Sequence, residues 1–186
     1  MKKIAVLCAA ITCLWAAPAS ADTYVSGSGG FGIIVNSNAI DYETGATFGA
    51  AVGAKSEKYR VEGAVNYQSN AVKSVSGIAV KRVHVSVVSV MLNGYMDLII
   101  KDSDFTPYVM AGLGEAKIRS RDKHEETVDN NVFAWQVGTG VGIKTSENVT
   151  LDVGYRYLTP AKAMDRVGNK FSISDSNFLI GVRYGL

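Results

Sequence analysis

Several residue types are scarce in this sequence of 186 residues. It has two cysteines, three prolines and 19% charged residues, below the usual ~25%. Two cysteines cannot build a disulfide scaffold or a cysteine-based zinc cluster, and three prolines exclude a proline-rich linker or a collagen. The formal net charge of +2 is too small for an electrostatic hold on nucleic acid, so we expect no nucleic-acid partner.

The first 21 residues have the pattern of a secretory signal. Lys2 and Lys3 form a basic start, residues 4–17 are apolar and uncharged, and small residues precede a cleavage site before Asp22. The apolar run is shorter than the roughly 20 residues of a spanning helix. We therefore expect residues 1–21 to be cleaved on export, and both cysteines to leave with them. Residues 22–186 would then form one domain.

The rest of the chain contains no apolar run long enough for a transmembrane helix. What recurs is the alternation of apolar and polar residues that is typical of strands with one apolar face. Phe178, Ile180, Val182 and Tyr184 show it most clearly. Eight segments carry this pattern: residues 24–36, 45–54, 58–68, 83–98, 107–119, 132–144, 149–158 and 173–186.

The connections between these segments indicate how the strands are arranged. Short turns near residues 55–57, 101–104 and 145–148 contrast with long polar loops at 69–82, 120–131 and 159–172. Short turns at one end and long loops at the other are typical of up-and-down barrels. Aromatic residues near strand ends on the apolar face favour a lipid-facing exterior. We predict an all-β, eight-stranded antiparallel up-and-down transmembrane β-barrel. A soluble periplasmic ligand-binding barrel, with its apolar face inward, is the alternative.

The polar face combines small residues with charges of both signs. Eight strands enclose a lumen just wide enough for side chains, and an unpaired buried charge is costly. We therefore predict a lumen filled by paired charges, without an open channel; a narrow small-solute pore is the alternative. The predicted interior network consists of Arg60, Glu62, Asp97, Glu115, Lys117, Asp152, Arg156 and Arg183.

Four stretches resemble a known family of proteins. Residues 133–142 (FAWQVGTGVG) and 148–157 (NVTLDVGYRY) look like the opacity/surface-antigen type of small outer-membrane barrel, similar to the OmpA transmembrane domain. Residues 106–114 and 59–63 are similar to its fifth and third strands. The resemblance implies a Gram-negative surface protein that acts as an adhesin, antigen or integrity factor and contacts outer-membrane lipid and lipopolysaccharide.

The last segment also resembles the signal by which such barrels are recognised during assembly. The barrel-assembly machinery reads alternating apolar residues that end in an aromatic residue, and Leu186 stands here where the family usually has Phe. The predicted assembly signal consists of Phe178, Ile180, Val182, Tyr184 and Leu186.

Four further motifs have weaker functional interpretations. Residues 27–32 fit G-x-G-x-x-G, but a strand-like stretch follows, so we expect crowding relief on the lumen face rather than nucleotide binding. His84 and Ser86 resemble the pair of lipid A 3-O-deacylases, which gives an alternative in which the barrel is an enzyme. Residues 122–126 (DKHEE) lack metal-ligand spacing, so we expect no metal and no cofactor. Basic loop residues could contact lipopolysaccharide phosphates: Lys73, Lys81, Arg82, Arg119, Arg121, Lys123, Lys162, Arg166 and Lys170.

Overall fold

The structure of this protein is a computed structural model. It describes residues 21–36, 40–75, 78–79, 84–121, 128–160, 163–164, 170–171 and 173–186. The predicted signal at residues 1–21 lies outside this part of the chain, except for its last residue. The run at 122–126 and several basic loop residues also lie outside it. Within the described ranges, no helix is long and apolar enough to cross a membrane.

Eight long strands make up the described part of the chain. They are β1 (Asp22–Asn36), β2 (Gly45–Ser56), β3 (Tyr59–Val75), β4 (His84–Asp97), β5 (Phe105–Arg121), β6 (Val128–Lys144), β7 (Val149–Pro160) and β8 (Ile173–Gly185). Short strands at Ile40–Tyr42 and Ile78–Ala79 both pair with the far end of β3. A second short ladder joins Ala163–Met164 to Lys170–Phe171.

Every long strand is antiparallel to the next one along the chain, and β8 pairs with β1 from Tyr24↔Gly185 to Asn36↔Ile173. The sheet is therefore a closed ring, and the prediction of an eight-stranded up-and-down barrel is confirmed. Closure matters because lipid offers the backbone no hydrogen-bond partners, so a spanning sheet must have no free edge.

The two rims of the barrel differ. Short turns at residues 57–58, 98–104 and 145–148 form the turn rim, and Glu57 (φ 45°) and Asp102 (φ 58°) adopt left-handed backbone conformations there. The opposite end, where the longer connections lie, is the loop rim. Two strands extend farther toward the loop rim than the alternation indicated. β3 continues to Val75 rather than to residue 68, and β5 continues to Arg121 rather than to residue 119.

Many large apolar side chains face outward. Ile180 is 67% exposed, Val153 50% and Leu113 56%, although each lies in the middle of a strand. Aromatic rings also pack on the outer face, with centroids 5.3 Å apart for Phe31 and Phe178 and 6.4 Å apart for Trp135 and Tyr157. Such a surface suits acyl chains flanked by an aromatic girdle. It contradicts the soluble alternative, which requires these side chains inside.

Candidate functional site

A buried ion pair lies in the lumen near the turn rim. Arg60 Nε donates to both oxygens of Asp97 at 3.0 and 3.1 Å, and Arg60 Nη2 lies 2.9 Å from Asp97 Oδ1. Lys55 Nζ approaches the same carboxylate at 3.5 Å. The guanidinium also lies 4.2 Å from the Tyr95 ring centroid and 4.9 Å from that of Tyr108. A charge with 3% exposure is therefore compensated by a carboxylate and two aromatic faces.

A second ion pair joins β8 to β7. Arg183 Nε donates to Asp152 Oδ2 at 3.1 Å and Arg183 Nη2 to Oδ1 at 3.0 Å, which is the two-point geometry that strengthens such pairs. Gly142 on β6 makes room for it, because a Cβ there would lie 2.9 Å from Arg183 Nη2. The small residues of the inward face thus provide the space that long charged side chains occupy.

Glu62 is the centre of a hydrogen-bond network whose donors are uncharged side chains. Its carboxylate accepts hydrogen bonds from Tyr24 Oη at 3.2 Å, Tyr95 Oη at 2.9 Å and Asn93 Nδ2 at 3.3 Å. Gln136 Nε2 in turn donates to Asn93 Oδ1. Tyrosine and amide donors therefore satisfy this buried carboxylate. The predicted interior network contained only charged residues, so it did not include these donors.

Arg156 behaves differently from the other two lumen arginines. Its Nη1 donates to Asn66 Oδ1 at 2.9 Å, across the barrel from β7 to β3. The described contact of Arg156 is thus with a neutral amide rather than with a carboxylate. Arg156 and Asn66 line both a cavity of about 60 Å³ and one of about 20 Å³, so this contact separates the two spaces.

Toward the loop rim the lumen contains amides and a carboxylate. Gln68 Nε2 donates to Asn70 Oδ1 at 2.8 Å and to Asp175 Oδ1 at 3.0 Å. Asn70 Nδ2 donates to the carbonyl oxygens of Gly32 and Glu43. Asp175 is fully buried, although it was not among the predicted interior charges. Its position two residues before the inward-facing Asn177 was the available signal, because residues i and i+2 share a strand face.

An apolar cluster lies within the same half of the barrel. It contains residues from β1 and from β4 to β7 that are at most 7% exposed, so it fills the ring from several sides. The cluster consists of Ile34, Val85, Val87, Met91, Ala116, Ile118, Ala134 and Leu158. Side chains of both kinds therefore pack the lumen.

Glu115 and Lys117 do not belong to the interior. The inward face of β5 carries Tyr108, Met110 and Ala116, whereas Glu115 is exposed on the outward register with Leu113. Lys117 shares this register, which places it on the outer face as well. The physical reason is length: β5 has 17 residues, more than the roughly 10 that cross a membrane, so its outward face becomes polar beyond the lipid.

The remaining predicted sites lie as follows. The G-x-G-x-x-G stretch lies inside β1, which continues after it as a strand to Asn36. Its residues alternate, so that Gly30 and Gly32 face inward but Gly27 and Gly29 face outward, against the expectation of a lumen-facing set. His84 opens β4, and its side chain lies outside what the structure describes. The cross-strand partners of residues 84 and 86 are Ala71, Arg121, Ser69 and Arg119, and none of these four carries a carboxylate.

The predicted assembly residues all lie on the outside of the barrel end. Phe178, Ile180, Val182 and Tyr184 project outward from β8 with exposures between 45 and 67%, and Leu186 is 73% exposed. The backbone amide of Leu186 donates to Thr23 O at 2.9 Å, which ties this end of the chain to β1.

A closed ring of strands, apolar outside and packed with ion pairs inside, defines a membrane-spanning β-barrel. Comparison with known proteins agrees: residues 4–185 match the family model of the outer membrane protein beta-barrel domain. The chain belongs to this family, and the resemblance inferred from its strand motifs is confirmed.

Individual relatives support the same assignment. The chain is 27% identical over 120 residues to the outer membrane protein PagN of Salmonella typhimurium, a match that covers 54% of this chain and 50% of PagN. The chain thus spans about half the length of this relative. Its fold is similar to neisserial surface protein A (TM-score 0.69, 20% identity, 88% of this chain and 97% of that one). It is also similar to Ail, the attachment invasion locus protein of Yersinia pestis (TM-score 0.58, 12% identity, 89% and 99%).

Proposed function

We propose that this outer-membrane barrel is not an enzyme or a pore, and that it acts by presenting its loop rim at the cell surface. The observation that carries the proposal is the packed lumen. The Arg60–Asp97 and Arg183–Asp152 pairs and the apolar cluster occupy the interior, and a cavity beside Arg60 and Asp152 holds only about 60 Å³. Function then rests on the outside, and Ail, whose fold is similar, is named for attachment and invasion.

Planar-bilayer recording tests the closed lumen. We expect purified barrel to give no steady current, because ion pairs and the apolar cluster obstruct the part of the lumen that the structure describes. The double variant Arg60→Ala, Asp97→Ala removes one of these obstructions and serves as a comparison with a wider lumen. Steady conductance by the unaltered protein would overturn the proposal in favour of the pore.

Whole-cell attachment tests the surface role. Cells displaying the protein are compared with cells whose barrel has residues 122–127 replaced by a Gly–Ser linker, on abiotic and host-cell surfaces. We expect the replacement to reduce attachment while the folded barrel remains in the outer membrane. Equal attachment by cells that lack the protein altogether would contradict an adhesive role.

The enzyme alternative is tested separately on lipid A. His84→Ala and Ser86→Ala cells should have the lipid A acylation pattern of the unaltered cells, because no carboxylate lies directly across the sheet from either residue to orient the histidine. Loss of a deacylated species in both variants would establish the hydrolase instead.

Lipopolysaccharide is the partner that the outer face of β5 suits. Lys117 and Arg119 lie on the outward register of β5, beyond Leu113, which is the last apolar residue of that register. Basic side chains at this level can bind lipid A phosphates. The stabilisation of the barrel by lipopolysaccharide over phospholipid should therefore shrink in the Lys117→Gln, Arg119→Gln variant.

Export and assembly complete the proposal. We propose cleavage before Asp22, which N-terminal sequencing of the outer-membrane form tests directly. We also propose that the assembly machinery reads the outward residues of β8. Tyr184→Ser should then lower the amount of barrel inserted in cells, while refolding of the purified chain is unaffected.

A further inference from the structure

The turn between β4 and β5 has an unusual composition for a turn that faces water. Leu98, Ile99 and Ile100 follow one another, and their side chains are 48, 56 and 52% exposed. The other two short turns consist of Glu57-Lys58 and Thr145-Ser146-Glu147-Asn148, which are polar. Three consecutive branched apolar residues left in water are unfavourable, so their exposure indicates a partner surface.

This apolar segment is continuous with the lipid-facing belt. Met96 on β4 and Phe105 on β5, the outward residues that flank the turn, are 42 and 55% exposed. The Leu98 amide donates to Pro107 O at 2.7 Å, so the strand ladder continues through residue 98. Because even-numbered residues of β4 face outward, this ladder leaves Leu98 on the same face as Met96.

The second half of the turn is polar. Lys101, Asp102, Ser103 and Asp104 are all exposed, and the left-handed backbone of Asp102 reverses the chain there. The turn thus has one apolar arm, attached to β4, and one charged arm, attached to β5. An amphipathic segment of this kind fits a lipid–water boundary, with apolar side chains among the acyl chains and Lys101 among the headgroups.

We propose that Leu98–Ile99–Ile100 is a membrane anchor at the turn rim, inserted into the leaflet on the periplasmic side. The partner of this segment is the lipid surface itself, because the segment extends a face of the barrel that already contacts lipid. It would fix the depth of the β4–β5 side of the barrel, a property distinct from the closed lumen and from the activity of the loop rim.

Site-specific fluorescence tests the anchor. Residues 22–186 contain no cysteine, so single cysteines can be introduced into the exported chain and labelled with an environment-sensitive nitrobenzoxadiazole dye. The probe sites are Ile99→Cys, with Asp102→Cys in the same turn and Glu147→Cys in the polar turn as matched controls. Each labelled barrel is reconstituted into phosphatidylcholine–phosphatidylglycerol vesicles with and without doxyl-labelled lipid.

We expect a blue-shifted emission at position 99 and lipid quenching about twofold stronger than at positions 102 and 147, because interfacial segments insert about 5–10 Å into the headgroup–acyl boundary. Iodide should quench position 99 least. Equal emission and equal iodide quenching at all three positions would overturn the anchor. Disulfide-linked dimers of the unlabelled Ile99→Cys barrel, together with no lipid quenching of the labelled one, would overturn it in favour of a second copy of the chain.

Discussion

At the scale of single residues, the lumen holds two kinds of inward-facing arginine. Arg60 and Arg183 each face a carboxylate at 3.0–3.1 Å, whereas Arg156 donates to the amide oxygen of Asn66. The difference decides what a substitution costs. Removing the partner of a paired charge leaves the other charge buried and uncompensated, whereas removing a charge that is bonded to an amide leaves only a neutral group.

Asp97→Asn should be strongly destabilising. It leaves Arg60, which is 3% exposed, with a neutral partner, and we expect a loss of about 3–5 kcal/mol in the free energy of unfolding. Urea titration of the refolded barrel in lipid vesicles measures it. Asp102→Asn, in an exposed turn, is the control and should change little. The double variant Arg60→Leu, Asp97→Leu should lose less free energy of unfolding than Asp97→Asn. A loss as large as that of Asp97→Asn, or larger, would contradict the ion-pair account.

Arg156→Leu should cost less than Asp97→Asn. The leucine removes one charge-assisted hydrogen bond to Asn66, so we expect a loss of about 1–2 kcal/mol. The same urea titration applies, with Asn66→Ala as the companion variant. A loss as large as that of Asp97→Asn would show that Arg156 has a carboxylate partner after all.

At the scale of the element, each strand is a two-sided ribbon whose outer side changes character along its length. On β5 the outward residues are apolar up to Leu113 and charged from Glu115 onward. The inward residues of the same strand include Tyr108, Met110 and Ile118, which are buried. The polarity of a residue therefore does not tell which face it is on. The face follows from the position of the residue in the alternation, and the polarity expected on the outer face follows from its distance from the membrane.

A lysine on the outer face should be costly only at membrane depth. Ile180→Lys, in the middle of β8, should destabilise the barrel by about 2–4 kcal/mol, and Ser174→Lys, near the loop rim on the same face, by about 0–1 kcal/mol. Unfolding in vesicles of defined thickness gives both values. Equal costs at the two positions would place the hydrocarbon region elsewhere along β8.

At the scale of the whole molecule, stability belongs to the ring. All eight long strands are paired on both sides, and lumen contacts such as Arg156–Asn66 cross between strands that are not neighbours. A closed ring has no edge from which strands can be removed one at a time. We therefore expect the barrel to unfold cooperatively and to stay folded in detergent.

Gel mobility reports this closure. Unheated samples in sodium dodecyl sulfate should migrate as a compact species, and boiled samples as an extended chain. Asp97→Asn should lower the temperature at which the compact band disappears. Identical migration before and after boiling would contradict a stable closed barrel.

The alternation of the sequence predicted the fold well. Eight segments, their order and the outward direction of Ile180 and Leu151 all agree with the structure. Six of the eight predicted interior charges lie on inward registers, whereas Glu115 and Lys117 lie outside. The error came from choosing charges by type, although the period of β5 already placed both on the face of Leu113.

What the sequence alone determined is therefore what depends on neighbours along the chain: a strand repeats every two residues, so faces and turns can be counted. Only the tertiary structure decided which polar groups meet. Gln68 contacts Asp175 across 107 positions of the sequence, and Arg156 contacts Asn66 across 90. Such pairs depend on the stagger of the strands and the closure of the ring, because a lumen this narrow brings together side chains from strands that the sequence keeps apart.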